Sequence, residues 1–201
     1  MLLNDSSQIN SYCNLAVLIS GSGSNLQAII DAVSSGDVQN AKVALVVSNN
    51  SNAYGLHRAD KAGIPTVHIP SADKEKLLET LEHHNIDAIV LAGYLSLLPI
   101  NVVSNYSGKI INIHPSLIPK YCGKGFYGLK VHQAVIEAKE TETGATIHLV
   151  DEEYDTGKIL IQEKIEVRPD DTAEILQKRV LEIEHKIIVK GIKMLVGGCE
   201  G

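Results

Sequence analysis

The chain has 201 residues, of which 44% are apolar, and it carries a net charge of −6. This length suits one α/β domain with a sizeable core, and the apolar content excludes a wholly disordered chain. The acidic balance, without a Lys-rich or Arg-rich block, argues against a general nucleic-acid-binding protein, which needs a cationic surface.

Short apolar runs alternate with amphipathic segments through the first half of the chain. Buried strands are predicted at 15–19, 43–47, 66–69, 88–92 and 110–113. Helices are predicted from Ser24 onward, over 53–62 and over about 72–84. This alternation indicates the α/β class, with an open, mostly parallel Rossmann-like sheet and helices on both faces.

The last third of the chain has a different pattern. Apolar runs at 146–150 and 159–167 flank an acidic loop and predict an antiparallel hairpin. A long C-terminal helix is predicted over 172–196, opened by Asp171. We expect a flexible N-terminal extension at 1–13, which has no signal-peptide pattern, and a single domain at 14–201. No apolar run reaches the length needed to cross a bilayer.

The cysteines and most histidines give no metal signal. Cys13, Cys122 and Cys199 lack regular spacing, so reduced thiols and a cytoplasmic location are expected. No Cys-x-x-Cys or His-x-x-x-His pattern occurs, so no metal site is predicted. Surface or boundary positions are expected for three further histidines, His57, His68 and His132. Two others, His148 and His185, are left open as residues that face the site.

A glycine-rich turn joins the first strand to the first helix. Glycines at 21 and 23 allow close approach to a ligand, and the helix N-terminus offers unpaired N–H groups to phosphate. Ser24 and Gln27 fit a capping box. Leu26 stands where a dinucleotide-binding fingerprint needs its third glycine, and no P-loop lysine is present. An anion site and a simple tight turn both remain as interpretations.

Polar residues end the strand at 110–113 and fill the acidic loop at 151–157. Asn112 and His114 share one face of the strand, at the edge where open α/β sheets bind ligands. A hydrogen-bonded structural histidine is the alternative. If the acidic loop folds over His114, Asp155 should raise the imidazole pKa above about 6.5. Otherwise the loop is a solvated hairpin connection.

Five segments, in this order and spacing, resemble the phosphoribosylglycinamide formyltransferases of the formyltransferase family over about 15–189. They are Leu18-Ile19-Ser20-Gly21-Ser22-Gly23-Ser24-Asn25-Leu26-Gln27, Leu91-Ala92-Gly93-Tyr94, Asn112-Ile113-His114-Pro115-Ser116, Thr143-Gly144-Ala145-Thr146-Ile147-His148 and Asp155-Thr156-Gly157.

The resemblance implies formyl transfer from the cosubstrate 10-formyltetrahydrofolate to the glycine amine of 5′-phosphoribosylglycinamide in purine synthesis. Direct amine attack through a tetrahedral intermediate would involve Asn112, His114 and Asp155. The ribonucleotide would bind Gly23, Ser24, Asn25 and Glu184. The folate would contact Tyr94, Leu95, Ser96, Leu97, Leu98, Asn112, Val150 and Asp151, with Lys74 near its tail. Thr146 would orient a water.

The expected partners are small-molecule substrates, without nucleic acid or membrane, and a monomer or homodimer is expected. Ser96 stands at a basic position of the family, Cys122 replaces a proline, and the segment at 70–76 is shorter. The longer Gly-rich loop at 122–130 is expected to be a mobile lid. Cys122 is not expected to act as a nucleophile.

Three other functions are alternatives for a chain with these segments. A formyltetrahydrofolate hydrolase would use water as acceptor and would not need the glycine turn or Glu184. A transfer-RNA formyltransferase would carry a further C-terminal domain and a basic face. A non-catalytic nucleotide-binding module would use the glycine turn alone.

Overall fold

The computed structural model describes residues 12–198, in which seven strands form one sheet. In chain order they are β1 (Cys13–Ile19), β2 (Ala41–Ser48), β3 (Thr66–His68), β4 (Ala88–Leu91), β5 (Ile110–His114), β6 (Glu142–Leu149) and β7 (Ile159–Glu166). Their spatial order is β3-β2-β1-β4-β5-β6-β7. The first five are parallel, whereas β6 and β7 are antiparallel additions. The predicted open, mostly parallel sheet with a C-terminal hairpin is confirmed.

The helices within residues 12–198 are α1 (Ser24–Ser34), α2 (Tyr54–Lys61), α3 (Lys76–His83), α4 (Ile100–Asn105), α5 (Leu129–Glu137) and α6 (Ala173–Gly197). The helix predicted over 72–84 is divided into a 3₁₀ helix (Ser71–Asp73) and α3. Neither α4 nor α5 was predicted. The six residues of α4 are too few to show a helical period.

The long C-terminal helix is confirmed as α6, but Asp171 does not cap it as predicted. Thr172 is the N-cap, and its side chain accepts a hydrogen bond from the Ile175 N–H. Asp171 instead accepts from the Arg168 N–H and pairs with Arg179. A hydroxyl therefore caps the helix, and the carboxylate secures the preceding turn.

Helices cover both faces of the sheet, as predicted. In β1, Leu15 and Val17 point to one face, while Ala16 and Leu18 point to the other, and all four are 0% exposed. The first face packs against α1, α2, α5 and α6, and the second against α3 and α4. Because β1 is buried on both faces, its sequence is a continuous apolar run instead of an alternating one.

The predicted N-terminal extension falls mostly outside the described residues, which exclude 1–11 and 199–201. Cys13, assigned to that extension, is the first residue of β1 and is 5% exposed. Cys199 also lies outside the described residues. We propose that the domain predicted at 14–201 is a single unit, because α6 packs against β4, β5, β6 and β7. Across residues 12–198, every helix is too short or too polar to span a bilayer.

Candidate active site

A cavity of about 700 Å³ lies beyond the carboxyl ends of β1, β4 and β5. This is the location predicted for a ligand in an open α/β sheet, and the volume suits a small molecule. The predicted site residues that line it are Gly23, Ser24, Asn25, Tyr94, Leu95, Ser96, Leu97, Leu98, Asn112, His114, Val150, Asp151, Asp155 and Glu184. The structure does not bring Lys74 or Thr146 to this lining.

The glycine turn is held tightly between β1 and α2. Gly23 has a left-handed φ of +69°, and a Cβ added there would lie 2.6 Å from the Gly55 Cα. The Gly55 N–H donates to the Gly21 carbonyl at 3.1 Å, and the Arg58 Nε donates to the Ser22 carbonyl at 2.9 Å. The turn therefore starts α1 at the cavity wall, where the unpaired N–H groups of its first turn can bind an anion.

The predicted capping box is wrong. Gly23 is the N-cap of α1, Ser24 is its first helical residue, and no side chain caps this end. The Gln27 Nε2 donates instead to the Asp31 Oδ1 at 2.9 Å. The left-handed glycine begins the helix one residue earlier than a Ser24 cap would, which leaves the N-terminus open to a ligand.

We expect Gly23→Ala to destabilise the protein more than Gly36→Ala. Both glycines have a left-handed φ, which costs a residue with a Cβ about 1–2 kcal/mol. Only at Gly23 would the new Cβ also meet backbone, since nothing lies within 4 Å of a Cβ at Gly36. Urea unfolding of both variants measures the difference. Equal losses would contradict the close approach of Gly23 to Gly55.

A buried polar pair connects the glycine turn to the C-terminal helix. The Asn25 Nδ2 donates to the Glu184 Oε2 at 2.7 Å, and the Asn25 Oδ1 is buried without a partner. Burial raises the pKa of Glu184, and the hydrogen bond from Asn25 opposes that rise. Asn25 was expected to bind the ribonucleotide. Its unpaired Oδ1 lies beside the Glu184 carboxyl, and an acceptor suits the hydroxyl groups of a ligand better than a phosphate.

Asn112, His114 and Asp155 converge on one wall of the cavity. The His114 Nδ1 lies 3.7 Å from the Asp155 Oδ2, and the Asn112 Nδ2 donates to the Asp155 Oδ1 at 3.2 Å. Asp155 turns the acidic loop with a φ of +57°, and its side chain is only 11% exposed. The loop therefore folds over the end of β5, and the solvated-hairpin interpretation is wrong.

The pKa of His114 is lowered, contrary to the sequence-based expectation. Burial is the largest effect, and it outweighs the Asp155 carboxylate and the Tyr121 carbonyl, which favour the charged ring. For Asp155, burial would raise the pKa, but contacts with His148, His114 and the Gly123 N–H lower it overall. The site at neutral pH thus holds a neutral imidazole beside an ionised carboxylate.

The tautomer of neutral His114 follows from one hydrogen bond. The His114 Nε2 lies 2.8 Å from the Tyr121 carbonyl oxygen, which can only accept. The hydrogen of the neutral ring is therefore on Nε2, and the lone pair of Nδ1 is on the side of Asp155.

His148 belongs to this cluster, although the sequence left its position open. It is the antiparallel partner of Asn112 and is 2% exposed. The His148 Nδ1 donates to the Leu149 carbonyl at 2.8 Å, and its Nε2 lies 3.0 Å from the Asn112 Nδ2 and 3.4 Å from the Asp155 Oδ1. Both amide hydrogens of Asn112 are then engaged, one with His148 and one with Asp155. This contact results from the antiparallel pairing of β6 with β5, which was not predicted from the sequence.

Among the remaining histidines, only the burial of His132 contradicts a prediction. His132 was expected at the surface or boundary, but it is 1% exposed and lines the cavity, with Nδ1 lacking a partner. Burial and the nearby His114 lower its pKa to about 4. His185, also left open as a site residue, is not in the cavity lining. His57 and His68 are exposed, as predicted.

The water-orienting role predicted for Thr146 does not fit its contacts. Its hydroxyl donates to the Ser116 carbonyl at 2.6 Å and accepts from the Ile118 N–H and the Gln162 Nε2. One hydrogen and two lone pairs are thereby used, which leaves none for a water. Thr146 instead holds the turn that follows β5.

Cys122 lies beside the cavity with a thiol that is not activated. Burial and the Asp155 charge raise its pKa, and its Sγ contacts the Pro119 carbonyl at 3.3 Å. A raised pKa leaves little thiolate at neutral pH, so the thiol is a poor nucleophile. Residues 12–198 contain no group of three or more His, Cys, Asp or Glu side chains arranged to hold a metal ion.

The segment Tyr94–Leu98 forms an apolar wall on a fixed backbone. The Leu95 N–H donates to the Ser20 hydroxyl at 2.9 Å, and the Ser96 hydroxyl accepts from the Asn49 Nδ2 at 2.7 Å. Leu95 and Leu97 remain 53% and 38% exposed. This wall suits a flat aromatic ligand, whereas Ser96 is occupied by Asn49 and supplies no cation.

Comparisons with known proteins agree with this geometry. A family model described as formyl transferase matches residues 13–192. The chain is 44% identical to a chloroplastic phosphoribosylglycinamide formyltransferase of Arabidopsis thaliana over 184 residues, which are 88% of this chain and 63% of that protein. It is also 44% identical to a phosphoribosylglycinamide formyltransferase of Haemophilus influenzae, covering 92% of this chain and 87% of that protein.

A solved structure shares the fold. The crystal structure of the phosphoribosylglycinamide formyltransferase from Anaplasma phagocytophilum superposes with a TM-score of 0.84 at 38% identity. The match covers 93% of this chain and 88% of that chain. The chain thus spans less than two thirds of the Arabidopsis relative but most of the bacterial ones.

Proposed function

Because this chain belongs to the formyl transferase family, we propose that it transfers the formyl group of 10-formyltetrahydrofolate to the glycine amine of 5′-phosphoribosylglycinamide. The product is formylglycinamide ribonucleotide, an intermediate of purine synthesis. The observation that carries the proposal is the convergence of Asn112, His114 and Asp155 in the cavity that also contains the glycine turn.

The ribonucleotide occupies the end of the cavity between α1 and α6. Its phosphate binds the free N–H groups at Gly23, Ser24 and Asn25, where the helix terminus is partly positive. Its ribose hydroxyls donate to the unpaired Asn25 Oδ1 and to Glu184. This placement directs the glycine amine away from α1, toward His114.

The folate occupies the end of the cavity lined by Tyr94–Leu98, Val150 and Asp151. Its flat pterin packs on Leu95 and Leu97, and the Asp151 carboxylate accepts from its ring nitrogens. Lys74 lies outside the cavity lining and is not part of this binding site.

The proton of the attacking amine is taken by His114. As the amine nitrogen bonds to the formyl carbon, it becomes positive, and the lone pair of the His114 Nδ1 accepts its proton. The ionised Asp155 then stabilises the imidazolium. The same proton passes, directly or through a water, to the folate nitrogen that leaves, so no covalent enzyme intermediate forms.

Asn112 stabilises the oxygen that becomes negative in the tetrahedral intermediate. Its amide hydrogens are engaged by His148 at 3.0 Å and Asp155 at 3.2 Å, and the second, longer contact is the one exchanged for the oxyanion. A donor placed in this way contributes about 3 kcal/mol to transition-state stabilisation.

The experiment that tests the proposed function is a two-substrate assay. The purified protein should form formylglycinamide ribonucleotide only when both substrates are present. Turnover of 10-formyltetrahydrofolate without the ribonucleotide would identify a hydrolase, and binding without any turnover would identify a nucleotide-binding module. Both outcomes contradict the proposal.

We expect Glu184→Gln to weaken ribonucleotide binding while stabilising the fold. The amide has one acceptor oxygen where the carboxyl has two, so about one hydrogen bond, worth about 0.5–1.5 kcal/mol, is lost and KM for the ribonucleotide should rise about 3- to 10-fold. Burial raises the pKa of Glu184 because the ionised carboxylate is less favourable in the folded state than in the unfolded state. The free energy of unfolding therefore falls as pH rises through the pKa of the folded protein. The variant should therefore have a higher Tm than the wild type at pH 7, with the difference shrinking toward pH 4.5.

The matched control is Glu182→Gln, an exposed acid on the same helix. It should leave both KM and Tm unchanged. A Glu184→Gln variant with unchanged KM would remove Glu184 from the ribose site, whatever its Tm.

We further propose that the reaction takes place in the cytoplasm and that the protein acts as a monomer or homodimer. The named Arabidopsis relative is chloroplastic, so cell fractionation is the test of location. Sedimentation equilibrium is the test of oligomeric state. The lid expected at 122–130 remains a prediction, although α5 begins within it at Leu129.

A further inference from the structure

Tyr121 has a backbone conformation that is unusual for its residue type. Its φ is +52°, in the left-handed region that a residue with a Cβ avoids. In this conformation its carbonyl oxygen accepts the hydrogen bond from the His114 Nε2 at 2.8 Å. A strained backbone that contacts a catalytic side chain needs other contacts to hold it.

Those contacts come from Glu140, which lies outside the cavity between α5 and β6. The Tyr121 hydroxyl donates to the Glu140 Oε1 at 2.9 Å, and the Lys120 Nζ lies 2.9 Å from the same oxygen. Hydrogen bonds from Lys120 and Tyr121 lower the pKa of Glu140, so it stays ionised as an acceptor. The Tyr121 ring also packs on Phe126, with centroids 6.1 Å apart.

The same segment also contacts the second catalytic group. The Gly123 N–H donates to the Asp155 Oδ2 at 2.8 Å. Residues 121–123 therefore hold the imidazole on one side and the carboxylate on the other, through backbone atoms alone. At the start of this segment the Tyr121 hydroxyl is bonded to Glu140, a side chain that contacts neither catalytic group.

We propose that Glu140 and Tyr121 form an anchor that positions His114 and sets its tautomer. By holding the Tyr121 carbonyl against Nε2, the anchor keeps the hydrogen on Nε2 and leaves the Nδ1 lone pair on the Asp155 side to accept a proton. The inference rests on the proposed function in one respect, namely that His114 is the base. Glu140 and Tyr121 are positioning residues that act through His114.

Removal of the anchor changes the protonation of His114 in a defined direction. The charged or titratable groups that act on the ring are Asp155 from the acidic loop, His148 from β6 and His132 from α5, and none of them is altered. The hydrogen bond to the Tyr121 carbonyl favours the charged ring. Its loss should therefore lower the pKa of His114 further and populate the Nδ1–H tautomer, which cannot accept the amine proton at Nδ1.

The test uses Tyr121→Phe and Glu140→Ala in the full chain. Each should lower kcat by about 3- to 10-fold, the effect of one hydrogen bond, with unchanged KM for both substrates. Glu140→Gln retains an acceptor for the Tyr121 hydroxyl and should restore most of kcat. Glu142→Ala is the matched control, because it removes a surface pair of the same geometry, Lys164 Nζ to Glu142 Oε1 at 2.9 Å.

Nitrogen-15 spectra of the histidine rings, recorded over a pH titration without substrate, read the tautomer directly. The expected result is an Nε2–H tautomer in the wild type and in Glu142→Ala, and a shift toward Nδ1–H with a lower pKa in Tyr121→Phe and Glu140→Ala. Unchanged spectra in the last two variants, or equal changes in Glu142→Ala, would overturn the proposal. A wild-type protein without formyltransferase activity would refute the proposed function, yet the same spectra would still decide whether the anchor sets the tautomer.

Discussion

Replacing His114 with alanine should lower kcat by about 10²–10⁴-fold, the range of effects seen when a general acid–base group is lost. The physical reason is that the His114 Nδ1 has its lone pair beside the ionised Asp155, whereas the His148 Nε2, which lies 3.4 Å from the same carboxylate, is occupied by Asn112. KM for the ribonucleotide should change little, because its phosphate and ribose are bound by α1 and α6. Steady-state kinetics with each substrate varied in turn provides the measurement.

Loss of a buried side chain at position 114 also affects packing, so a second variant is needed. His114→Asn retains polarity and part of the volume but cannot take up the amine proton, so it should be as inactive as His114→Ala. His57→Ala, which removes an exposed histidine on α2, should be fully active. If His114→Ala or His114→Asn kept wild-type turnover while remaining folded, His114 would have no part in the chemistry.

Asp155→Asn should lower kcat by about 10²–10³-fold, the loss expected when a preorganised charge is removed from the transition state. The amide is nearly the same size as the carboxylate and can still accept from the Gly123 N–H, so the acidic loop should stay in place. What disappears is the negative charge that stabilises the imidazolium formed at His114. The effect should therefore appear in kcat and leave KM for both substrates within a small factor.

The same variant makes a prediction about pH. Because Asp155 raises the pKa of His114, although less than burial lowers it, Asp155→Asn should move the His114 titration to still lower pH. Nitrogen-15 spectra of the ligand-free protein would measure the shift. Glu152→Gln, an exposed acid of the same loop, should alter neither kcat nor the titration. A His114 pKa that rises in Asp155→Asn would contradict the electrostatic account of the pair.

Some of the site could be predicted from local sequence because it depends on local geometry. The two-residue repeat of a strand places Asn112 and His114 on one face whatever the rest of the chain does. The glycine turn follows a continuous apolar run, and its glycine at 23 does have the left-handed φ that such a turn requires. The prediction that Ser24 caps α1 was wrong for the same local reason, because Gly23 is the N-cap.

Other parts of the site depend on which distant segments become neighbours. Asn25 and Glu184 are 159 residues apart in the chain, and Asn112 and Asp155 are 43 apart. His148 enters the cluster only because β6 pairs antiparallel with β5. The spacing of residues along the chain does not indicate which distant segments come into contact. The positions of His148 and His132 in the cavity therefore could not be predicted from it.

The amino-acid sequence alone determined the α/β sheet, its C-terminal hairpin, the long final helix and the face shared by Asn112 and His114, because periodicity and turn residues act over a few positions. Only the tertiary structure decided the protonation of the site. It lowered the pKa of His114 where the sequence suggested a rise, and it assigned the ring hydrogen through the Tyr121 carbonyl. The reason is physical: a pKa depends on desolvation and on every charge and dipole packed around the group, and the fold creates that environment.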